Sequence, residues 1–307
     1  MRIIINASDI ATVVDKNPFK PKNELLEELC KKYNKNYTKK TKTELVEEKI
    51  PLHLKEKLDK AMKETSVLQN SEESQKILAN FVEQCYQEDA NSTKLTNSDA
   101  SNSDANSTIS DANSTISDAN STISDANSTI SDANSTISDA NSAAAGQDRL
   151  DRLDRLQEII EYATQKINTT HGTYTEHKTA TLLNQETGNV IIEDNKYYSY
   201  PIINIDHYEF VIIGKIDRVE IINGQHWLIE IKNRTKKLFK KLYEKENIQI
   251  QTYLQMTKLN KAKLVEQYND EIFSILVDKD DTLWETIFPK VIEFCQQLHE
   301  FMLQANL

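Results

Sequence analysis

The chain has 307 residues, with 37 Lys plus Arg against 48 Asp plus Glu and a formal net charge of −11. That length allows two domains, and so acidic a balance argues against a general polyanion binder while leaving room for a local basic patch. Cys30, Cys85 and Cys295 form no CxxC pair and no zinc spacing, so they read as reduced, mostly buried thiols. The opening "MRIIINASDI" lacks the layout of a secretory signal. No run approaches the ~18 apolar residues of a membrane span. The expectation is an intracellular protein without a membrane partner.

In chain order, "ASDIATVVDKNPFKPKNELLEEL" predicts a short helix from Ser8, a turn through Asn17-Pro18, and a second helix with Leu25, Leu26 and Leu29 as its apolar stripe. Two more helices are expected over 51–65 and 71–87, giving a helical region 1–90. Packing and support explain these residues, and so does presentation of Ser8 and the Asn17 turn to a phosphate or a DNA end. From Ser101 to Ser142 the heptad "ISDANST" recurs, with one Ile per unit (Ile109, Ile116, Ile123, Ile130, Ile137). A coiled coil needs two apolar seam positions per heptad, and Asp, Asn, Ser and Thr compete with helix through local side-chain bonds. A disordered linker over 91–144 is the expectation, with a short β-solenoid as the structured alternative.

The core is expected over 145–307. "GQDRLDRLDRLQEIIEYATQKI" places Leu150, Leu153, Leu156 and Ile160 on one helix face, and after "NTTHG" a further helix from about Thr173 carries Glu176. Strands are predicted at 190–192, 197–205, 210–222 and 226–232, then a helix over 238–259, strands at 262–268 and 271–277, and a closing helix over 284–303. The order describes an α/β fold built on a mixed β-sheet flanked by helices.

The hairpin "FVIIGKIDRVEIINGQHWLIEIKNR" carries the chemistry. Asn223-Gly224 is a strong signal for a two-residue type I′ turn. Counting outward, Ile222 pairs with Gln225, Glu220 faces Trp227, and Asp217 faces Glu230, with Lys215 opposite Lys232. Directly opposed Cβ atoms lie about 5 Å apart, so two carboxylates there repel unless a cation stands between them. A hard divalent ion fits: Mg²⁺, or Mn²⁺ in its place, takes Asp217, Glu230 and the Ile231 carbonyl, while Lys232 holds or deprotonates the attacking water. An ordinary salt network of Asp217 and Glu230 with Lys215 and Lys232 also accounts for the charges. Glu176 offers a third carboxylate. Gln249 and Tyr253 share a helix face at i, i+4. The one strongly basic stretch, with Lys232, Arg234, Lys236, Lys237, Lys240, Lys241 and Lys245 against Glu244, adjoins this site and suggests contact with a phosphate backbone.

Asp217 in "GKIDRVE", Glu230 and Lys232 in "EIK", and the "QIQTY" helix together resemble the PD-(D/E)XK nuclease superfamily. "HGTYTEHKTA" and "ASDIATVVDKNPFKPKNELLEEL" are similar to motifs of its phage lambda exonuclease, or YqaJ-like, branch. The resemblance implies a restriction-endonuclease-like core. Asp217, Glu230, Ile231 and Glu176 would hold Mg²⁺, Lys232 would act on the water, and Gln249 would orient that lysine. DNA would run along Ser8, Asn17, Lys215, Arg218, Arg234, Lys236, Lys237, Lys240, Lys241 and Tyr253. It implies a metal-dependent exonuclease working 5′ to 3′ from duplex ends in recombination, repair or viral genome processing. It also implies a homo-oligomer, a trimer in that branch, a single-strand annealing protein as partner, and host cytoplasm or nucleus as the compartment if the source is viral. An endonuclease of the same chemistry on DNA or RNA, and a non-catalytic nucleic-acid-binding protein, are the competing readings.

Overall fold

The computed structural model describes residues 1–68, 70–96 and 143–305. The ISDANST repeat, and with it the choice between linker and solenoid, lies outside the described residues. By contact the chain forms two compact units, one of Met1–Leu45, Gln69–Ser71 and His171–Leu307, the other of Val46–Leu68 and Glu72–Thr170.

The second unit is helical. It draws on α3 (Lys42–Lys49), α4 (Leu52–Thr65), α5 (Ser71–Thr96) and the first part of the long α6 (Ala143–Thr187). Leu54, Leu58 and Ala61 recur at helical spacing and bury against Phe81, Cys85, Leu156, Ile159, Ala163 and Ile167. Leu156 joins this core as expected, whereas Leu150 and Leu153 stay exposed.

The first unit holds all the β-structure described. Its strands are β1 (Arg2–Asn6), β2 (Val190–Glu193), β3 (Tyr198–Ile205), β4 (Tyr208–Gly214), β5 (Arg218–Ile222), β6 (Gln225–Asn233), β7 (Lys261–Tyr268) and β8 (Glu271–Asp278). Its helices are α1 (Ile10–Val13), α2 (Lys22–Tyr33), the C-terminal part of α6, α7 (Glu244–Thr257) and α8 (Asp281–Gln304). Two sheets form in place of the one expected: a three-stranded β1-β4-β3 and a five-stranded β2-β5-β6-β7-β8. Both are mixed, because β1 runs parallel to β4 and β6 parallel to β7 while the other pairs are antiparallel. The parallel β6–β7 pair needs a crossover, which residues 234–260 supply with α7.

Strand β6 is the centre of the larger sheet, so both its edges are paired, and side chains cover both its faces. Leu228 packs with Ile248, Leu254, Leu264, Phe294 and Leu298 into the main core, and Ile229 and Ile231 on the other face pack with Leu183 and Val265. Each such fully buried side chain stabilises by ~1.5–3 kcal/mol. Against that apolar background, charges on β6 are costly and need partners.

Four departures from the sequence expectations have local causes. Strand β1 precedes the first expected helix; its Ile3 and Ile5 are fully buried and pair with Phe210 and Ile212. The expected continuous strand 210–222 is broken at 215–217, so β4 and β5 belong to different sheets. At the break, a Cβ on Gly214 would lie 2.5 Å from a Tyr253 ring carbon and 2.8 Å from Ala7 Cβ, a passage that only glycine permits. Helix α6 runs unbroken through "NTTHG", where the Thr170 hydroxyl donates to the Lys166 carbonyl one turn back instead of capping a new helix. Helix α7 begins at Glu244 rather than near Leu238. Lys240 sits at φ 54° with its N–H donating to Glu266 Oε2 at 2.6 Å, which holds the basic stretch as a loop.

Candidate active site

The turn at Asn223 and Gly224 has φ of 51° and 77°, as a type I′ connection requires. It sets the register Ile222 to Gln225, Glu220 to Trp227 and Arg218 to Ile229. The ladder stops there. Asp217 follows next in register opposite Glu230 but lies beyond the strand, and its Oδ2 instead accepts the Ile231 N–H at 2.7 Å. Lys215 donates to Asn195 Oδ1 at 2.9 Å. Arg218 is buried, with its guanidinium on the Asp217 carbonyl at 2.6 Å.

Glu230 is 2% exposed on the face shared with Leu228. Lys232 Nζ donates to Glu230 Oε1 at 2.7 Å and to Gln249 Oε1, from α7, at 3.3 Å. The second oxygen, Glu230 Oε2, is buried with no hydrogen-bond partner. Tyr253, one turn beyond Gln249, is buried against Gly214, and burial followed by the charge of Glu230 pushes its phenol up. The expected salt network thus exists only in part: Lys232 with Glu230, without Lys215.

The carboxyl groups are short of positive charge. Burial, then the charge of Glu176, raises Asp217 from 3.8 to about 6. Burial raises Glu230 from 4.5 to about 7 in spite of Lys232, with Asp217 adding to the rise. Glu176 is also raised, chiefly by burial, with Arg218 opposing and Glu230 adding. For Lys232, burial lowers the pKa, but the charge of Glu230 and the hydrogen bond to it more than reverse that, so the ammonium stays protonated. A buried acceptor without a donor and repelling carboxyls fit a hard cation held by Asp217 and Glu230, with the carbonyl of Ile231, next after Glu230 in the chain, as a further oxygen donor. Among the described residues no group of three or more His, Cys, Asp or Glu side chains is placed to hold a metal ion. Glu176 therefore stands near the pair as an electrostatic neighbour.

Asn233, which no motif in the sequence singles out, clamps the end of β6 to α6. Its Nδ2 donates to Gly172 O at 2.7 Å and its Oδ1 accepts from Thr179 Oγ1 at 2.6 Å. The two contacts bracket Glu176 along the helix. Arg234 lines the site through an ion-pair cluster, with Nη1 on Glu246 Oε1 at 2.9 Å and Nε on Glu266 Oε1 at 2.8 Å. Both of those glutamates are buried.

Beside Lys232 opens a cleft of about 230 Å³ lined by Ser8, Asn17, Lys232, Arg234, Lys245 and Gln249, among others. Asn17 spends its amide on the turn: Nδ2 donates to Thr12 Oγ1 at 2.9 Å and Oδ1 accepts the Phe19 N–H at 3.1 Å. The Lys245 ammonium is pushed down by burial and then by the charge of Lys232. Lys236, Lys237, Lys240 and Lys241 are exposed along the 235–243 loop. Lys240 Nζ lies 5.6 Å from the Phe273 ring, and Lys241 Nζ lies 5.4 Å from that of Tyr243. No described helix is long and apolar enough to cross a membrane.

The family model for the PD-(D/E)XK nuclease superfamily matches residues 124–301, more than half of the chain, and takes in Glu176, Asp217, Glu230, Lys232 and Gln249. Among solved structures, an alkaline exonuclease (LHK-Exo) from Laribacter hongkongensis is 18% identical, with 45% of this chain and 72% of that one covered and a TM-score of 0.36. A phage-related exonuclease from Haemophilus somnus 129PT is 14% identical, with coverage of 46% and 74% and a TM-score of 0.35. Scores this low mark a partial likeness and carry no argument about function. No curated protein matches the sequence significantly.

Proposed function

The chain belongs to the PD-(D/E)XK nuclease superfamily, a family of hydrolytic nucleases, and from that premise we propose that it is a metal-dependent exonuclease degrading duplex DNA from its ends, in the 5′ to 3′ direction. The observation that carries this reading is the buried, unpartnered Glu230 Oε2 beside Asp217, with Lys232 held between Glu230 and Gln249.

Asp217 and Glu230, with the Ile231 carbonyl, would hold Mg²⁺, or Mn²⁺ in its place. Such an ion, when bound, polarises a phosphodiester and lowers the pKa of a water. The chain's own groups do the rest. Lys232, protonated under the charge of Glu230, donates a hydrogen bond to the attacking water or a phosphate oxygen and stabilises the negative charge that develops on phosphorus. Gln249 accepts from the same ammonium and fixes its direction. Glu176 supplies a third acidic group close to Asp217, suited to ordering water.

Ser8, Asn17 and Lys245 line the adjoining cleft, whose size and cationic wall suit a phosphate, and the exposed loop lysines Lys236, Lys237, Lys240 and Lys241 suit the DNA backbone. Arg218, on the Asp217 carbonyl, and Arg234, paired with Glu246, are tied into buried contacts, and Arg234 also lines the cleft. A role in recombination, repair or genome processing, a homo-oligomeric form and an annealing-protein partner complete the reading, and these rest on the resemblance alone.

The test is hydrolysis with Mg²⁺ of end-labelled linear duplex beside a closed circle of the same sequence. The linear DNA should be shortened from its ends and the circle left intact. Equal cutting of the circle would make the chain an endonuclease, and no cutting with Mg²⁺ or Mn²⁺ would make it a non-catalytic binding protein.

A further inference from the structure

Phe19 is 80% exposed, the most exposed large hydrophobic side chain among the described residues. Its backbone is nonetheless pinned. The Phe19 N–H donates to Asn17 Oδ1 at 3.1 Å, the Asn17 amide is tied to Thr12 on α1, and Pro18 between them has its φ fixed by its ring. The next residue, Lys20, pairs with Glu28 on α2. A turn held this firmly fixes where the exposed ring stands. Lys245 Nζ stands 4.6 Å from the ring centroid, so one face of the phenyl carries a cation. Lys245 and Asn17 both line the cleft that Lys232 and Gln249 enter.

We propose that the free face of Phe19 is a stacking platform for a nucleobase, with Lys245 behind it holding the phosphate of the same or the adjoining nucleotide. The inference rests on the nuclease reading for the identity of the strand in the cleft and adds a base-binding subsite to it. Every base has a π-face, so an aromatic platform grips any sequence, as an enzyme that digests successive nucleotides requires. Bases inside a duplex are already stacked on their neighbours. The platform therefore takes an unpaired base, one at a frayed end or in a short single-stranded tail next to the scissile phosphate.

The experiment measures binding of the full chain, with the divalent ion chelated, to a fluorescent duplex bearing a short single-stranded tail. A matched set carries an abasic site at each of the first few nucleotides in turn. Phe19→Ala should weaken binding about tenfold, the equivalent of ~1.4 kcal/mol and within the range for one base on one ring. At one position the abasic substitution should weaken wild-type binding by the same factor and leave Phe19→Ala unaffected, and Phe19→Trp should bind like wild type. Equal weakening by Phe19→Ala on every member of the set, or none on any, overturns the proposal. Failure of the nuclease reading shows separately, as base-dependent binding that persists in a protein that cleaves nothing.

Discussion

Replacing Asp217 by Asn keeps the shape of the side chain and an oxygen for the Ile231 N–H, but removes one charge from the group formed with Glu176 and Glu230. Burial, followed by Glu176, raises the Asp217 carboxyl from 3.8 to about 6. A carboxyl raised by folding contributes stability that is fully present below its unfolded pKa and is lost as pH rises through the folded value. For Asp217 that window runs from about pH 4 to about pH 6, and Glu230, raised from 4.5 to about 7, extends it toward neutrality. A rise of this order corresponds to ~3 kcal/mol at most. Asp217 keeps part of its surface in water, and removal of one charge relaxes the others, so about 1–2 kcal/mol is the net expectation. At ~2–4 °C per kcal/mol for a domain of this order, Asp217→Asn should melt about 2–8 °C above wild type at pH 8 in chelator. The difference should shrink toward zero at pH 4, and the variant should not hydrolyse DNA. Thermal unfolding followed from pH 4 to pH 8 checks this. A variant no more stable than wild type at pH 8, or one with an equal gain at both ends of the range, would refute the electrostatic reasoning.

The Asn233 clamp predicts that Asn233→Ala lowers kcat about tenfold or more with DNA affinity unchanged, because β6 and the Glu176 turn of α6 lose their common tether. Its stability should fall by ~1–3 kcal/mol for the two lost partners, and Asn233→Asp should not rescue kcat, since a carboxylate cannot donate to Gly172 O. Lys236→Ala combined with Lys237→Ala should leave kcat intact, weaken DNA binding alike for all sequences, and reduce the slope of log K against log salt by about 2. A slope unchanged in a salt titration would remove those lysines from the interface.

How much of this was readable from the sequence depends on the range of each constraint. The Asn223-Gly224 turn is local and fixes the register as far as Arg218 and Ile229, so Asp217 follows next opposite Glu230 although the ladder itself has ended. Gln249 followed from helix spacing and a motif. The break after Gly214 depends on Tyr253, and the loop form of the basic stretch depends on Glu266, so neither is written in its own neighbourhood. Asn233 carries no local signal for the same reason: its two partners lie 61 and 54 positions away. Strand β1 is only five residues long and is defined by its pairing with β4, not by a clear alternation.

The measurement that bears most directly on the metal-and-lysine site is nucleotide release from linear duplex by Glu230→Gln beside wild type, across a titration of Mg²⁺. Wild type should release nucleotides only when Mg²⁺ is present. Glu230→Gln should fold, bind the same DNA and release nothing at any Mg²⁺ concentration. Release by the variant at the wild-type rate, with the same dependence on Mg²⁺, would contradict the assignment of Glu230 and of the site built on it.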